Sequence, residues 1–288
     1  MKKYVISTDS NADLPKEYID EHNIVIIPHY YDIDGVEYGG ELNLTPHEFY
    51  DKMRKGATPT TMASNPGVIY DTFTKYVNDG YDILHISFSS ALSSGYNNIC
   101  SGAREVMEEN PGSVIEVIDS ATVSLCQGMM VMKAATLLSE GCSLKENAAW
   151  IKEHINNFCV QFTVDDLVYL MRGGRLSKTS AFIGSIISLK PILVVNSEGA
   201  LIPCGTVRGR KRSLSTLVNN MKENIDKTGL APETICIVHG DVLEDAMYVK
   251  NLIEKIYDCN IIINTVSPSI GSHSGPGALG LIYIGESR

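Results

Sequence analysis

No run in the sequence approaches the roughly 20 apolar residues of a membrane span. No C-x-x-C pair, H-E-x-x-H pair or G-x-x-x-x-G-K-[ST] string occurs in it either. These absences argue against a spanning helix, a zinc knot, a dedicated metal site and a P-loop nucleotide site. Positive charge is scarce: 24 Lys and Arg against 34 Asp and Glu leave a net charge of −10. Such a surface repels phosphate backbones and acidic membranes, so nucleic acid is not an expected partner. The seven cysteines, Cys100, Cys126, Cys142, Cys159, Cys204, Cys236 and Cys259, are odd in number and scattered. They read as inert buried thiols rather than a disulfide framework. The first apolar stretch, Tyr4 to Ser7, runs into Asp9 after too few residues for a signal peptide, so the expected setting is the cytoplasm, with no metal and no cofactor.

What is present is core-forming material. Apolar residues make up 44% of the 288, enough for one large or two ordinary globular cores. Apolar runs at Tyr4–Ser7, Ile24–Ile27, Ile83–Ser87 and Val114–Ile118 read as strands covered on both faces. Helices are expected between and after them at 45–55, 66–78, 95–110, 125–139 and 144–157, the first opened by Thr45, Pro46 and Glu48. Asp34-Gly35 reads as a two-residue hairpin turn. From Phe158 onward, six strand-like runs are interrupted by long helices near 210–226 and 243–257, with Asn196–Gly199 as a turn between two strands. The fold class is therefore α/β: an N-terminal, doubly wound, mostly parallel domain over residues 1–160, then an α+β domain with a mixed sheet over 161–288. A ligand cleft is expected between them.

Several segments carry polar chemistry. Gly275–Gly280 satisfies G-x-G-x-x-G, but it leads into a terminal strand instead of opening a helix, so the dinucleotide reading fails on context. Ser89 to Tyr96 follows a strand and precedes a helix. Its serines, Ser93 and Ser94 among them, read as caps, as an anion site at a helix N-terminus, or as a nucleophile elbow lacking the G-x-S-x-G string. A second polar turn, Thr58 to Pro66, places the hydroxyl of Thr60 or Thr61 where it can serve the same anion. His273 lies in a glycine-dense stretch, expected as a loop between strands, where backbone approaches a ligand closely and an imidazolium can pair with a carboxylate. Arg172-Gly173-Gly174-Arg175 and Arg208-Gly209-Arg210-Lys211-Arg212 read as exposed loops, either plain solvated surface or a docking patch for an acidic or phosphate-bearing partner. Three functions compete: binding of a carboxylate or phosphate anion, serine hydrolysis by Ser93 with His273 as base, and a phosphotransfer or sugar-binding module with His273 as phosphate acceptor.

Six ordered blocks decide among them by likeness. Asp9–Pro15 resembles the D-S-T-A-D-L-P opening of the DegV family, and Ser89–Tyr96 resembles its S-S-x-L-S-G-T-Y turn. Val117–Ser120, Leu170–Ser177, Lys190–Ile192 and Gly275–Gly280 resemble its later motifs in the same order. The resemblance implies two α/β domains clamping a long-chain, palmitate-like fatty acid, in a protein that is not itself an enzyme. It implies further that the carboxylate is presented to a separate fatty acid kinase. Thr61 and Ser93 then match the hydroxyls that hold the carboxylate, with Thr60 and Ser94 beside them and His273 near the head group. Arg175 and Arg208 match family arginines near the head group or the kinase surface. Two departures stand out: the T-S-Q-P block reads Thr61-Met62-Ala63-Ser64, and L-S-G-T-Y reads Leu92-Ser93-Ser94-Gly95-Tyr96. Separately from the likeness, the apolar stretch holding Phe182, Ile183, Ile186 and Ile187 is a candidate lining for the acyl chain, with plain core packing as the alternative.

Overall fold

The computed structural model describes residues 2–176 and 189–288. The chain begins with β1 (Tyr4–Asp9), α1 (Lys16–His22), β2 (Val25–Ile27) and a hairpin of β3 (Tyr30–Ile33) and β4 (Val36–Tyr38). It continues through α2 (Pro46–Arg54), β5 (Thr60–Met62), α3 (Pro66–Asn78), β6 (Asp82–Ser87) and α4 (Gly95–Glu109). β7 (Ile115–Asp119), α5 (Ser124–Ser139) and α6 (Leu144–His154) follow, with a 3-10 turn over Ile155–Asn157 where the sequence suggested continued α-helix. Next come β8 (Phe158–Thr163), α7 (Val168–Arg172), β9 (Leu189–Val195), β10 (Leu201–Arg208) and α8 (Arg210–Thr228). The last elements are β11 (Thr234–His239), α9 (Leu243–Ile253), β12 (Asn260–Thr265), α10 (Pro268–Ser274) and β13 (Leu279–Ile284).

Three sheets organise these elements. The first has the order β2-β1-β6-β7 and is parallel throughout. Every residue of β6 is buried, as a parallel strand with helices on both faces requires. The second, β10-β9-β8-β13-β11-β12, is mixed, with only β11 and β12 parallel. Helix α5 lies between the two large sheets. Its sequence is mostly apolar, and its buried Met130 and Ala134 share one cluster with Leu84 and Ile86 of the first sheet and Val160 and Ile282 of the second. An amphipathic helix would leave one face unmatched in that position.

The small third sheet, β4-β3-β5, is what positions the site. Its hairpin turns on Asp34 and Gly35, both at positive φ as a type I′ turn demands. Residues 58–66 are not simply a turn: β5 pairs with β3, Thr61 opposite Tyr31. The stretch around His273 is likewise not a loop but the helix α10. Pro268 stands at its first position, Gly275 at φ 75 closes it, and it packs against α2, β3 and β5. The arginine segments also differ from open loops. Arg172 closes α7 and Arg175 is half-buried, whereas Arg208 ends β10 exposed and Arg210 opens α8 in an ion pair with Asp245 at 2.7 Å.

Candidate functional site

The ends of two parallel strands are held by carboxylates, Asp9 buried and Asp119 half-buried. Asp9, the last residue of β1, accepts from the backbone N–H of Asn11 at 3.1 Å and of Phe88 at 2.8 Å, and from Gln127 Nε2 at 3.1 Å. Asp119, at the end of β7, accepts from the N–H of Ser90 and Ala121. These bonds fix the turns where an open parallel sheet offers a crevice to ligands. Ser93 stands in the turn between β6 and α4. Its Oγ accepts from Gly95 N–H at 3.1 Å, which leaves the hydroxyl proton available to a ligand. Ser94 follows as the N-terminal flanking residue of α4 and makes no side-chain cap there.

Thr61 and His273 arrive from the other side. His273 Nε2 and Thr61 Oγ1 are 2.9 Å apart, joining β5 to the last turn of α10. The imidazole lies against the backbone at Gly173, where a Cβ would come within 2.1 Å of Nδ1. Burial, then the positive charges of Arg175 and Arg172, lowers the His273 pKa to about 4, so the ring is neutral in the empty site at pH 7. Nδ1 is buried without a partner among the described residues. Arg175 donates from Nε to Leu92 O at 3.0 Å and from Nη1 to Gly173 O at 2.6 Å, with no carboxylate among those partners. His273 is not arranged as the base of a Ser93 nucleophile: the hydrogen bond of its Nε2 is to Thr61, and Nδ1 has no acidic partner among the described residues.

Thr61, Ser93, Ser94, Arg175 and His273 line one cavity with about 1040 Å³ of empty space, part of it open to solvent. Beyond these polar groups the wall is built from strands of the second sheet, with Val160, Phe162, Val238 and Leu279, and from the turn that follows β6 of the first, with Phe88 and Leu92. No Asp or Glu lines the cavity among the described residues. Thr60, at the start of β5, is exposed and is not part of the lining. Arg208 is outside the lining too. Phe182, Ile183, Ile186 and Ile187 lie outside the described residues. The sequence reading missed Asn11 and His29, which also line the cavity. Asn11 sits inside the first ordered block, but His29 follows an ordinary apolar strand with no local signal. Among the described residues, no three His, Cys, Asp or Glu side chains converge as a metal site would need, and no helix is long and apolar enough to cross a membrane.

A family profile described as uncharacterised protein, DegV family, matches residues 3–286. A DegV domain-containing protein of Clostridium perfringens is 38% identical over 291 residues, spanning 100% of this chain and 99% of that protein. Among solved structures, a DegV family protein from Thermus thermophilus described as binding fatty acid superposes with a TM-score of 0.87 at 27% identity, covering 99% of this chain and 100% of that one. DegV of Bacillus subtilis, described as a fatty acid binding protein, superposes with a TM-score of 0.86 at 29% identity and the same coverage. With the profile spanning nearly every residue and the two-sheet architecture shared, this chain belongs to the DegV family.

Proposed function

We propose that the chain binds one long-chain, palmitate-like fatty acid and presents its carboxylate to a separate fatty acid kinase. The carboxylate takes hydrogen bonds from Thr61, Ser93 and His273, with Ser94 at the helix N-terminus and the Arg175 charge beside them. The acyl chain runs along the apolar wall. The observation that carries this reading is the cavity itself: mostly apolar, with hydroxyls, imidazoles and a guanidinium in its wall and no acid among its described lining residues. An anion is stabilised there and a neutral or cationic head group is not. The fatty-acid-binding descriptions of the Thermus and Bacillus proteins point the same way. About fourteen methylenes at ~0.8 kcal/mol each offer roughly 11 kcal/mol of gross burial, so the polar groups need only orient the head. The seven free thiols suit a cytoplasmic setting.

Mass spectrometry of organic extracts from natively purified protein should find a long-chain fatty acid at one per chain. Calorimetry on the delipidated protein should then show binding to saturated or monounsaturated acids between myristate and oleate. No binding to any of them overturns the reading. For the kinase step, Arg208→Ala should leave fatty acid affinity unchanged and lower acyl-phosphate formation, because Arg208 is exposed and outside the cavity. Unaltered phosphorylation would return Arg208 to plain solvated surface.

A further inference from the structure

His29 takes no part in the Thr61–His273 pair, yet it lines the same cavity while only 6% exposed. Two bonds hold it. Its backbone N–H donates to Ser10 Oγ at 2.9 Å, and Asn11 Nδ2 lies 3.0 Å from its Nδ1. An amide nitrogen only donates, so Nδ1 is the acceptor and the proton of the neutral ring is on Nε2. Burial lowers the pKa of the ring against the opposing charge of Asp9, which keeps it a neutral donor. Nε2 has no hydrogen-bond partner among the described residues, which leaves it free to donate to a ligand in the cavity that His29 lines.

The direction of that donor is set by Gly95. A Cβ on Gly95 would lie 3.3 Å from His29 Cε1, 3.4 Å from His29 Nε2 and 3.3 Å from Ser93 Oγ. The imidazole edge and the serine hydroxyl therefore converge on the bare face of one glycine, at the first residue of α4. Asn11, 3% exposed, also lines the cavity with its Oδ1 buried and unpartnered among the described residues. The polar lining of the cavity thus holds a second group, His29, Asn11 and Ser93, besides Thr61, His273 and Arg175.

We propose that His29, oriented by Asn11, donates from Nε2 to one carboxylate oxygen alongside Ser93, while Thr61 and His273 serve the other oxygen. His29 then selects for an acid over an uncharged head group on the same chain. This rests on the fatty acid reading above and adds a residue to it.

The test compares palmitate with hexadecanol, equal in chain length and different only in the head. Wild type, His29→Leu, His29→Gln and Thr61→Ala are each titrated after delipidation, with melting temperatures measured on the empty proteins. His29→Leu should reduce the acid-over-alcohol affinity ratio about tenfold, the worth of one charge-assisted hydrogen bond. His29→Gln, which keeps an N–H at similar reach, should retain most of the ratio. An unchanged ratio in His29→Leu, with a reduced one in Thr61→Ala, overturns the role of His29 and leaves the fatty acid reading intact. A wild type that binds no palmitate overturns both. Should His29→Leu fail to fold, NMR of wild type with 15N-labelled histidine decides. The His29 Nε2–H proton should move downfield on adding palmitate and stay in place on adding hexadecanol, and no shift with palmitate refutes the contact.

Discussion

Asp13 is the residue whose chemistry is most at odds with its surroundings. It is buried with left-handed backbone, φ 49, and ties three segments together. Its carboxylate accepts from Ser124 Oγ at the start of α5 and from Ser267 N–H at the entry to α10, while its carbonyl accepts from Asn264 Nδ2. Burial raises its pKa from 3.8 to about 7, against the hydrogen bonds from Ser124 and Ser267 and with a further push from Asp9. Between about pH 4 and pH 7 the folded chain keeps a proton here that the unfolded chain has released, so this site loses stability as pH rises through that window. His273, lowered to about 4, works in the opposite sense: below about pH 6.5 the unfolded chain takes a proton that the folded chain refuses, so stability falls as pH drops. Asp13→Asn keeps an acceptor for Ser267 N–H and offers its amide to Ser124 Oγ. Denaturant titrations should find it close to wild type near pH 4 and more stable near pH 8, by up to about 4 kcal/mol for a shift of roughly three units. A variant less stable than wild type near pH 8 would show that the ionised carboxylate is needed. Arg175→Ala, by contrast, should weaken palmitate binding in calorimetry, because Arg175 lines the cavity with no carboxylate among its bonded partners. Unchanged affinity would take Arg175 out of the site.

At the scale of the element, what was legible in the sequence is what local chemistry dictates. Thr45, Pro46 and Glu48 announce α2, and the structure has the full capping box there. Asp34-Gly35 gives the hairpin, and the β-branched runs give the parallel strands. β5 and α10 were not legible, because tertiary contacts make them. β5 is three residues long and exists through its pairing with β3. α10 has seven residues, including a glycine that no helix propensity favours. Gly271 is there because a Cβ would come within 2.5 Å of Tyr50 Oη and 3.0 Å of Phe49 Cε1, both on α2. The same elements carry Thr61 and His273, so half of the polar site is set by packing that no short window reveals. His29 was hidden for the same reason: only the fold brings it against Gly95. Gly271→Ala should push α10 off α2, cost about 1–3 kcal/mol in thermal or denaturant unfolding, and weaken palmitate binding by shifting His273 from Thr61. If the variant is destabilised but binds palmitate as wild type does, the seating of α10 does not govern the site.

At the scale of the whole molecule, the two large sheets share one helix and one cavity. α5 buries Leu125, Met130 and Ala134 in a cluster that draws on both sheets, and the cavity wall takes Phe88 from one side and Val160 and Val238 from the other. Separating the sheets would expose that helix on two faces at once, a loss far larger than a marginal interdomain contact can sustain. The chain should therefore unfold in a single calorimetric transition, with calorimetric and van't Hoff enthalpies in agreement. A ligand in that cavity, touching the second sheet and the turn after β6 of the first, raises that one transition as a unit. At a free concentration a hundredfold above its dissociation constant it stabilises by about 2.7 kcal/mol, which for a chain of this length is a rise of roughly 4–5 °C. Differential scanning calorimetry of delipidated protein, with and without palmitate, measures both quantities. Two transitions, only one of them moved by palmitate, would mean that the halves fold independently and that the fatty acid is held by one of them alone.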